Sequence, residues 1–347
     1  MSARMVYDLI EPAVLNDYIR AYDNEVLRNQ FALERFLPNF ANDSLEWNVN
    51  RSTFQDVDVA EYRSWDTQPK MTGRQGFSRI RGELAPVSRQ IPLTEEDTLR
   101  LNELRTGDNS AIINAIYNDA ERMMRSVQAR LELARGQVLT TGIFTLAENG
   151  LQATADFGMA GSHKPTAAAS WALVGTDILA DLLTWVQLYV DDNGFEPAEM
   201  VMSRQVLSYC FLNTKMLAAA SFAGTTPSRL NAETVAAIFA ANGLPPVTLY
   251  DTKVRVNGTA TNVIPTDRVL FMPPAREPLG KTHYGVTAEA LKLAGKGLIK
   301  QTDAAGAVCV VLENDNPVQT FTLATAIAVP VLGQPNAIIC ADVRPDI

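Results

Sequence analysis

The sequence predicts an α+β fold in which a long helix and long β-hairpins form one unit and an α/β segment forms another. Three observations carry this. A helical stripe runs through Ile112, Ile116, Ala120, Met123, Val127, Leu131, Ala134 and Val138 in steps of three and four residues, over 110–141. Period-two apolar runs flank the turn sequences Asn149-Gly150 and Asn314-Asp315-Asn316-Pro317. Between residues 166 and 280, short apolar strand-like runs alternate with capped amphipathic helices. The 347 residues suggest about two compact units. A composition 47% hydrophobic and 20% charged excludes a largely disordered chain.

Taken in order, residues 1–50 read as a mostly polar arm with short helices, its apolar face (Val26, Leu27, Phe31, Leu33, Phe36) too thin for an independent domain. Residues 57–65 are strand-like, 68–76 form a turn-rich tip, and 77–84 are extended again, so a long hairpin is expected. It has too few apolar residues for a core of its own, and an isolated two-stranded hairpin is marginal in water. Thr94-Glu95-Glu96-Asp97 opens a short helix with a capping-box pattern. The long helix follows, capped at Asn109 or Ser110 and stopped at Gly142. Its remaining surface, with Glu121, Arg122, Arg125, Arg130, Glu132 and Arg135, reads as a solvated face. Next come a hairpin turning at Asn149-Gly150, helices at 177–190, from Ser203 and from Asn231, strands at 199–202, 247–250, 253–256, 262–264 and 269–272, a hairpin over 307–329, and a last strand at 337–343.

Few residues suggest chemistry. With 30 Lys and Arg against 39 Asp and Glu, the net charge is −9, which makes a poor general binder of polyanions. Cys210, Cys309 and Cys340 lie far apart in apolar runs and read as small buried hydrophobes in a reducing compartment. The N-terminus lacks a secretory apolar core, and no apolar stretch is long enough for a membrane span. The two histidines, His163 and His283, lie outside any metal-ligand spacing and read as surface or loop residues. The segment 275–282 ends in Gly280-Lys281-Thr282, like a phosphate loop, but Ala275 replaces its first glycine and Pro278 removes a donor, so a simple loop is expected.

The 56–92 hairpin is the unusual element. From Glu61 to Ile91 it carries six basic residues against three acidic ones, in a chain of net charge −9. It reads as a solvated arm, a nucleic-acid arm or an intersubunit arm. The aromatics Tyr62, Trp65 and Phe77 are not clustered as a stacking platform. Complementary charge favours docking on a neighbouring copy, which points to Arg63, Trp65, Lys70, Arg74, Phe77, Arg79, Arg81 and Arg89 as the interface.

The order of these parts resembles phage major capsid proteins of the lambda-type major capsid protein E family. Residues 87–97 resemble that family's exit from its extended loop, 263–270 its Ile-Pro strand, and 320–330 its C-terminal strand, without the early proline. The resemblance covers nearly the whole chain and implies the Hong Kong 97 capsid fold. In that fold, 1–55 is an N-terminal arm, 56–92 the extended loop, 93–165 the spine helix and first part of the peripheral domain, 166–280 the axial domain, and 281–347 the C-terminal strands of the peripheral domain. Ile112, Ile116, Met123, Val127, Leu131 and Val138 then pack the spine.

The function this implies is the coat of a tailed double-stranded DNA phage. Copies would partner one another as hexamers and pentamers in an icosahedral virion shell assembled in the host cytoplasm. They would enclose DNA without sequence-specific binding, alongside a scaffold, a portal and a decoration protein. No enzyme activity, cofactor, metal or membrane is implied. An encapsulin-type compartment shell is the alternative on the same fold, and a nucleotide-binding enzyme a remote one. Cross-linking of Lys70 to Asn314, Asn316 or Asn336 is not expected, because isopeptide formation needs a desolvated lysine and a positioned carboxylate.

Overall fold

A computed structural model describes residues 4–5, 10–42, 44–51, 62–63, 65–66, 78–102, 110–221, 227–274, 279–300 and 305–345. Its axis is the helix Ser110–Thr141, stopped by Gly142 at φ +71°, a left-handed value that favours glycine. Met123, Val127 and Leu131 pack on Tyr284 and on Ala324, Ala326 and Ala328. Those three alanines alternate along the strand Val318–Leu332, so they share one face, and their small size lets the helix lie close to the sheet.

That strand organises the larger sheet. It pairs antiparallel with Val308–Asp315 along one stretch, with Pro86–Leu93 along Thr320–Ile327, and with Gly280–Gly285 along Ile327–Leu332. The short strand Asn39–Ala41 adds to Gly280–Gly285 in parallel. The helix Pro12–Tyr22 is fixed to the sheet by Asn16. Its buried side-chain amide exchanges two hydrogen bonds with the Cys309 backbone, donating at 3.1 Å and accepting at 2.9 Å, as a neighbouring strand residue would.

The long helix is not one-faced, contrary to the sequence reading. Ile116, Ala120, Met124, Ala134, Val138 and Leu139 bury into a second cluster with Leu15, Phe31, Leu33, Val263 and Ile264. Glu132 and Arg135, assigned to solvent, are fully buried. The reason is tertiary: the N-terminal segment and residues 250–264 cover the sides of the helix that the sheet does not.

The smaller unit holds the sheet Ile339–Asp342, Arg268–Met272, Glu199–Met202, Val247–Leu249. Its helices start at the expected caps: the side chains of Asp177, Ser203 and Asn231 accept from Ala180, Val206 and Thr234 N–H. Trp171, Ile178, Leu182, Tyr189, Val206, Val235 and Phe271 fill its core. One strand of this sheet comes from outside the 166–280 segment. Ile339–Asp342 returns to pair with Arg268–Met272, because its buried Ile339 and Ala341 complete this second core.

Both histidines are buried, not superficial: His163 is 1% and His283 is 7% exposed. The His163 ring faces the Ile338 carbonyl and the Asp192 carboxylate at 2.9 and 2.7 Å. His283 lies in the strand Gly280–Gly285 beside Phe40, and its pKa is lowered by burial and by Lys281. The three cysteines are buried, which pushes each thiol up to about 12.

Candidate assembly interface

The described root of the expected extended loop is a two-stranded ladder, Glu46–Arg51 against Ser78–Glu83. Its first strand, Glu46–Arg51, comes from the segment read as the arm. Of the expected strand 57–65, residues 57–61 and 64 lie outside the described residues, Tyr62 and Arg63 are not in a strand, and Trp65 and Asp66 form a turn. The missed signal was the apolar alternation of Trp47 and Val49. Trp47 is 2% exposed, lies over Phe157 with ring centroids 5.8 Å apart, and donates from Nε1 to the Glu83 carbonyl at 3.2 Å. Opposite it in register stands Gly82, where a Cβ would come within 2.7 Å of the indole. Burying an indole here contributes several kcal/mol, so the ladder is rooted in the core although its outer surface is polar.

Arg79 and Arg81 share the ladder's exposed face, and Arg63 is exposed. Tyr62 and Trp65 are almost wholly exposed, Trp65 at 96%. Lys70, Arg74 and Phe77 lie outside the described residues. Arg89 sits apart from these, exposed on the strand Pro86–Leu93, opposite Ala324. The structure thus keeps Arg79 and Arg81 together and assigns Arg89 to the sheet. Thr94 and Asp97, which follow that strand, form the expected reciprocal cap: Asp97 N–H donates to Thr94 Oγ1 at 3.3 Å, and Thr94 Oγ1 donates to the Asp97 carboxylate at 2.7 Å. The hydrogen bonds from Thr94 hold the Asp97 carboxyl below its usual range.

Among the six spine residues, Ile116, Met123, Val127, Leu131 and Val138 are buried and Ile112 is half-buried. Between them lies a polar junction that the sequence reading missed. The Glu132 carboxylate accepts from Leu33 N–H at 2.8 Å and from the Tyr250 hydroxyl at 2.7 Å. Arg135 donates to Glu132 at 3.3 Å, to Thr282 Oγ1 at 3.0 Å and to Asn39 Oδ1 at 2.8 Å. Four chain segments therefore meet on one turn of helix. Burial pushes the Glu132 carboxyl up, against the attraction of Arg135. One turn on, Gly136 approaches Val263 so closely that a Cβ would come within 2.5 Å of its carbonyl oxygen. A glycine inside an otherwise strong helix was the available signal for this contact.

The Gly-Lys-Thr sequence is part of a β-strand, with Thr282 buried and Lys281 over the Phe40 ring at 4.3 Å. A Cβ at Gly280 would come within 2.0 Å of the Val331 carbonyl oxygen, so this glycine serves strand packing. Among the described residues no cluster of three metal-ligating side chains is present, and no helix is long and apolar enough to cross a membrane.

A long helix packed on a long-stranded sheet, a second small α/β unit and a ladder rooted in the core by Trp47 are the parts of a subunit with the Hong Kong 97 capsid fold. The chain is similar in fold to the capsid protein ascribed to a prophage of E. coli CFT073, with 14% identity, TM-score 0.63, and 99% of this chain and 100% of that one covered. It is also similar to a phage-related protein from Bordetella bronchiseptica RB50, with 13% identity, TM-score 0.60, and 99% and 98% covered. Comparison with curated proteins yields no match. The chain belongs to the phage major capsid protein E family, which it matches over residues 19–343. It is a phage coat protein, a subunit of an icosahedral shell.

Proposed function

We propose that the ladder and the loop it carries join neighbouring copies into the shell, and that this docking, not catalysis, is the work of the chain. The observation that carries it is the pairing of a core-rooted base at Trp47 with an exposed outer part bearing Arg79, Arg81 and Trp65. Aromatic and Arg side chains are the usual anchors of protein interfaces. In this reading 46–92 is the extended loop, 110–141 the spine, 166–274 with 339–342 the axial domain, and the long-stranded sheet the peripheral domain. The copies form hexamers and pentamers, assemble in the host cytoplasm with a scaffold and portal, and enclose double-stranded DNA. The acidic chain would not adhere to that DNA during packaging.

The shell is held without covalent welds, with or without a decoration protein. Asn336, one conceivable cross-link partner, already accepts from Ala160 N–H at 3.0 Å. Deleting residues 66–77 tests the docking role: the chain should stay soluble and folded by circular dichroism yet form no closed particles by electron microscopy. Normal particles from the deletion would exclude the loop as the intersubunit element.

A further inference from the structure

Beside the long helix lies an open groove of about 800 Å³, walled by the strand Pro86–Leu93, the hairpin tip near Glu148 and the strand Lys253–Val256. Five cations line it, Arg89, Arg125, Arg130, Lys253 and Arg255, against one carboxylate, Glu148. Arg130 reaches Glu148 at 3.2 Å, and Arg125 donates to the Gln30 side chain at 3.1 and 2.8 Å. Arg89, Lys253 and Arg255 are exposed and have no ion-pair partner among the described residues. In a chain of net charge −9 this is a local reversal of sign. Two strands of the groove's wall also have a free edge. Among the described residues, Pro86–Leu93 pairs only with Val318–Leu332, and Lys253–Val256 only with Thr259–Asn262, so each leaves one edge unpaired. An unpaired edge accepts an extended peptide through backbone hydrogen bonds. A phosphate backbone has no such complement to offer, so the edges favour a peptide over nucleic acid.

We propose that this groove receives the acidic stretch 56–61 of a second copy as an extended chain. The inference rests on the shell-subunit reading and adds which limb of the loop docks, and where. That stretch reads Asp-Val-Asp-Val-Ala-Glu and follows the ladder strand Glu46–Arg51. An extended chain turns alternate residues to opposite faces. Asp56 and Asp58 then meet the basic rim while Val57 and Val59 meet the half-buried Ala129, Leu133 and Leu146 on the floor. Charge excludes the basic limb around Arg79 and Arg81 from the same place.

A charge-swap experiment tests this in the full-length chain. Lys253→Glu with Arg255→Glu should lower shell yield at least tenfold, and adding Asp56→Lys with Asp58→Lys to the same chain should restore it to within about threefold of the parent. In parallel, a fluorescein-labelled peptide of residues 54–62 should bind unassembled parent chain at least tenfold more tightly than its Asn/Gln counterpart. It should also bind the Lys253→Glu/Arg255→Glu chain at least tenfold more weakly than the parent. Failure of rescue together with equal binding of charged and neutral peptides would overturn the proposal. So would a groove variant that assembles like the parent and differs only in DNA retention. Either result leaves the 66–77 deletion free to stand or fall, so the docking role of the loop is judged separately.

Discussion

Glu132 and Arg135 stand three residues apart on the long helix, their charged atoms 3.3 Å apart and both side chains fully shielded from water. Such a pair contributes little net stability over an apolar replacement, but removing one partner strands the other charge in the interior. What it contributes here is register: Leu33, Asn39, Tyr250 and Thr282 all bond to it.

Glu132→Ala and Arg135→Ala should each destabilise the subunit by about 3–5 kcal/mol. The double variant should lose distinctly less than the sum of the two. Urea unfolding of the unassembled chain measures all three. Additive losses would mean that the two side chains act through their separate hydrogen bonds and not through each other.

Asp23, which accepts from Gln128 at 3.1 Å, has a pKa raised to about 6, chiefly by burial and then by Glu34. Its folded pKa lies above its unfolded one, near 3.9. Between roughly pH 4 and 6 the folded state therefore holds more protons, so this group's contribution favours folding at acid pH and weakens as pH rises through that window. Asp23→Asn should remove that component, stabilising the chain at pH 7 relative to the parent while changing little at pH 4. Equal effects at the two pH values would show that the carboxyl titrates normally.

Reversing Arg79 and Arg81 to Glu should reduce assembly. One exposed ion pair contributes only about 0–1 kcal/mol, yet each recurs at every contact in a shell. Light scattering should show strong dependence of the parent's assembly on ionic strength and weaker dependence in the variant. The same yield and salt response in both would remove these arginines from the interface.

Leu131→Asp places a carboxylate against Ala324, Ala326 and Ala328 at a position 1% exposed. The cost should be several kcal/mol, with the protein in the insoluble fraction on expression. Leu131→Met, close in volume, should remain soluble and assemble. Soluble, assembling Leu131→Asp would contradict the packing of this face.

The sequence alone determined what local rules govern. Ser110–Thr141 was legible because its apolar residues keep a helical period and Gly142 supplies the left-handed stop. The hairpin at Asn149-Gly150 and the helix starts at Asp177, Ser203 and Asn231 were legible because turns and caps are fixed by neighbours in sequence. Tertiary structure decided the rest. Nothing local shows that Glu132 and Arg135, spaced like a solvated pair, would be covered by Leu33 and Tyr250 from 99 and 118 residues away. Nor does it show that Ile339–Asp342 would return to Arg268–Met272, or that the partner of Ser78–Glu83 would be Glu46–Arg51. Strand partners and buried charges depend on which distant surfaces exclude water together, and period and composition do not encode that choice.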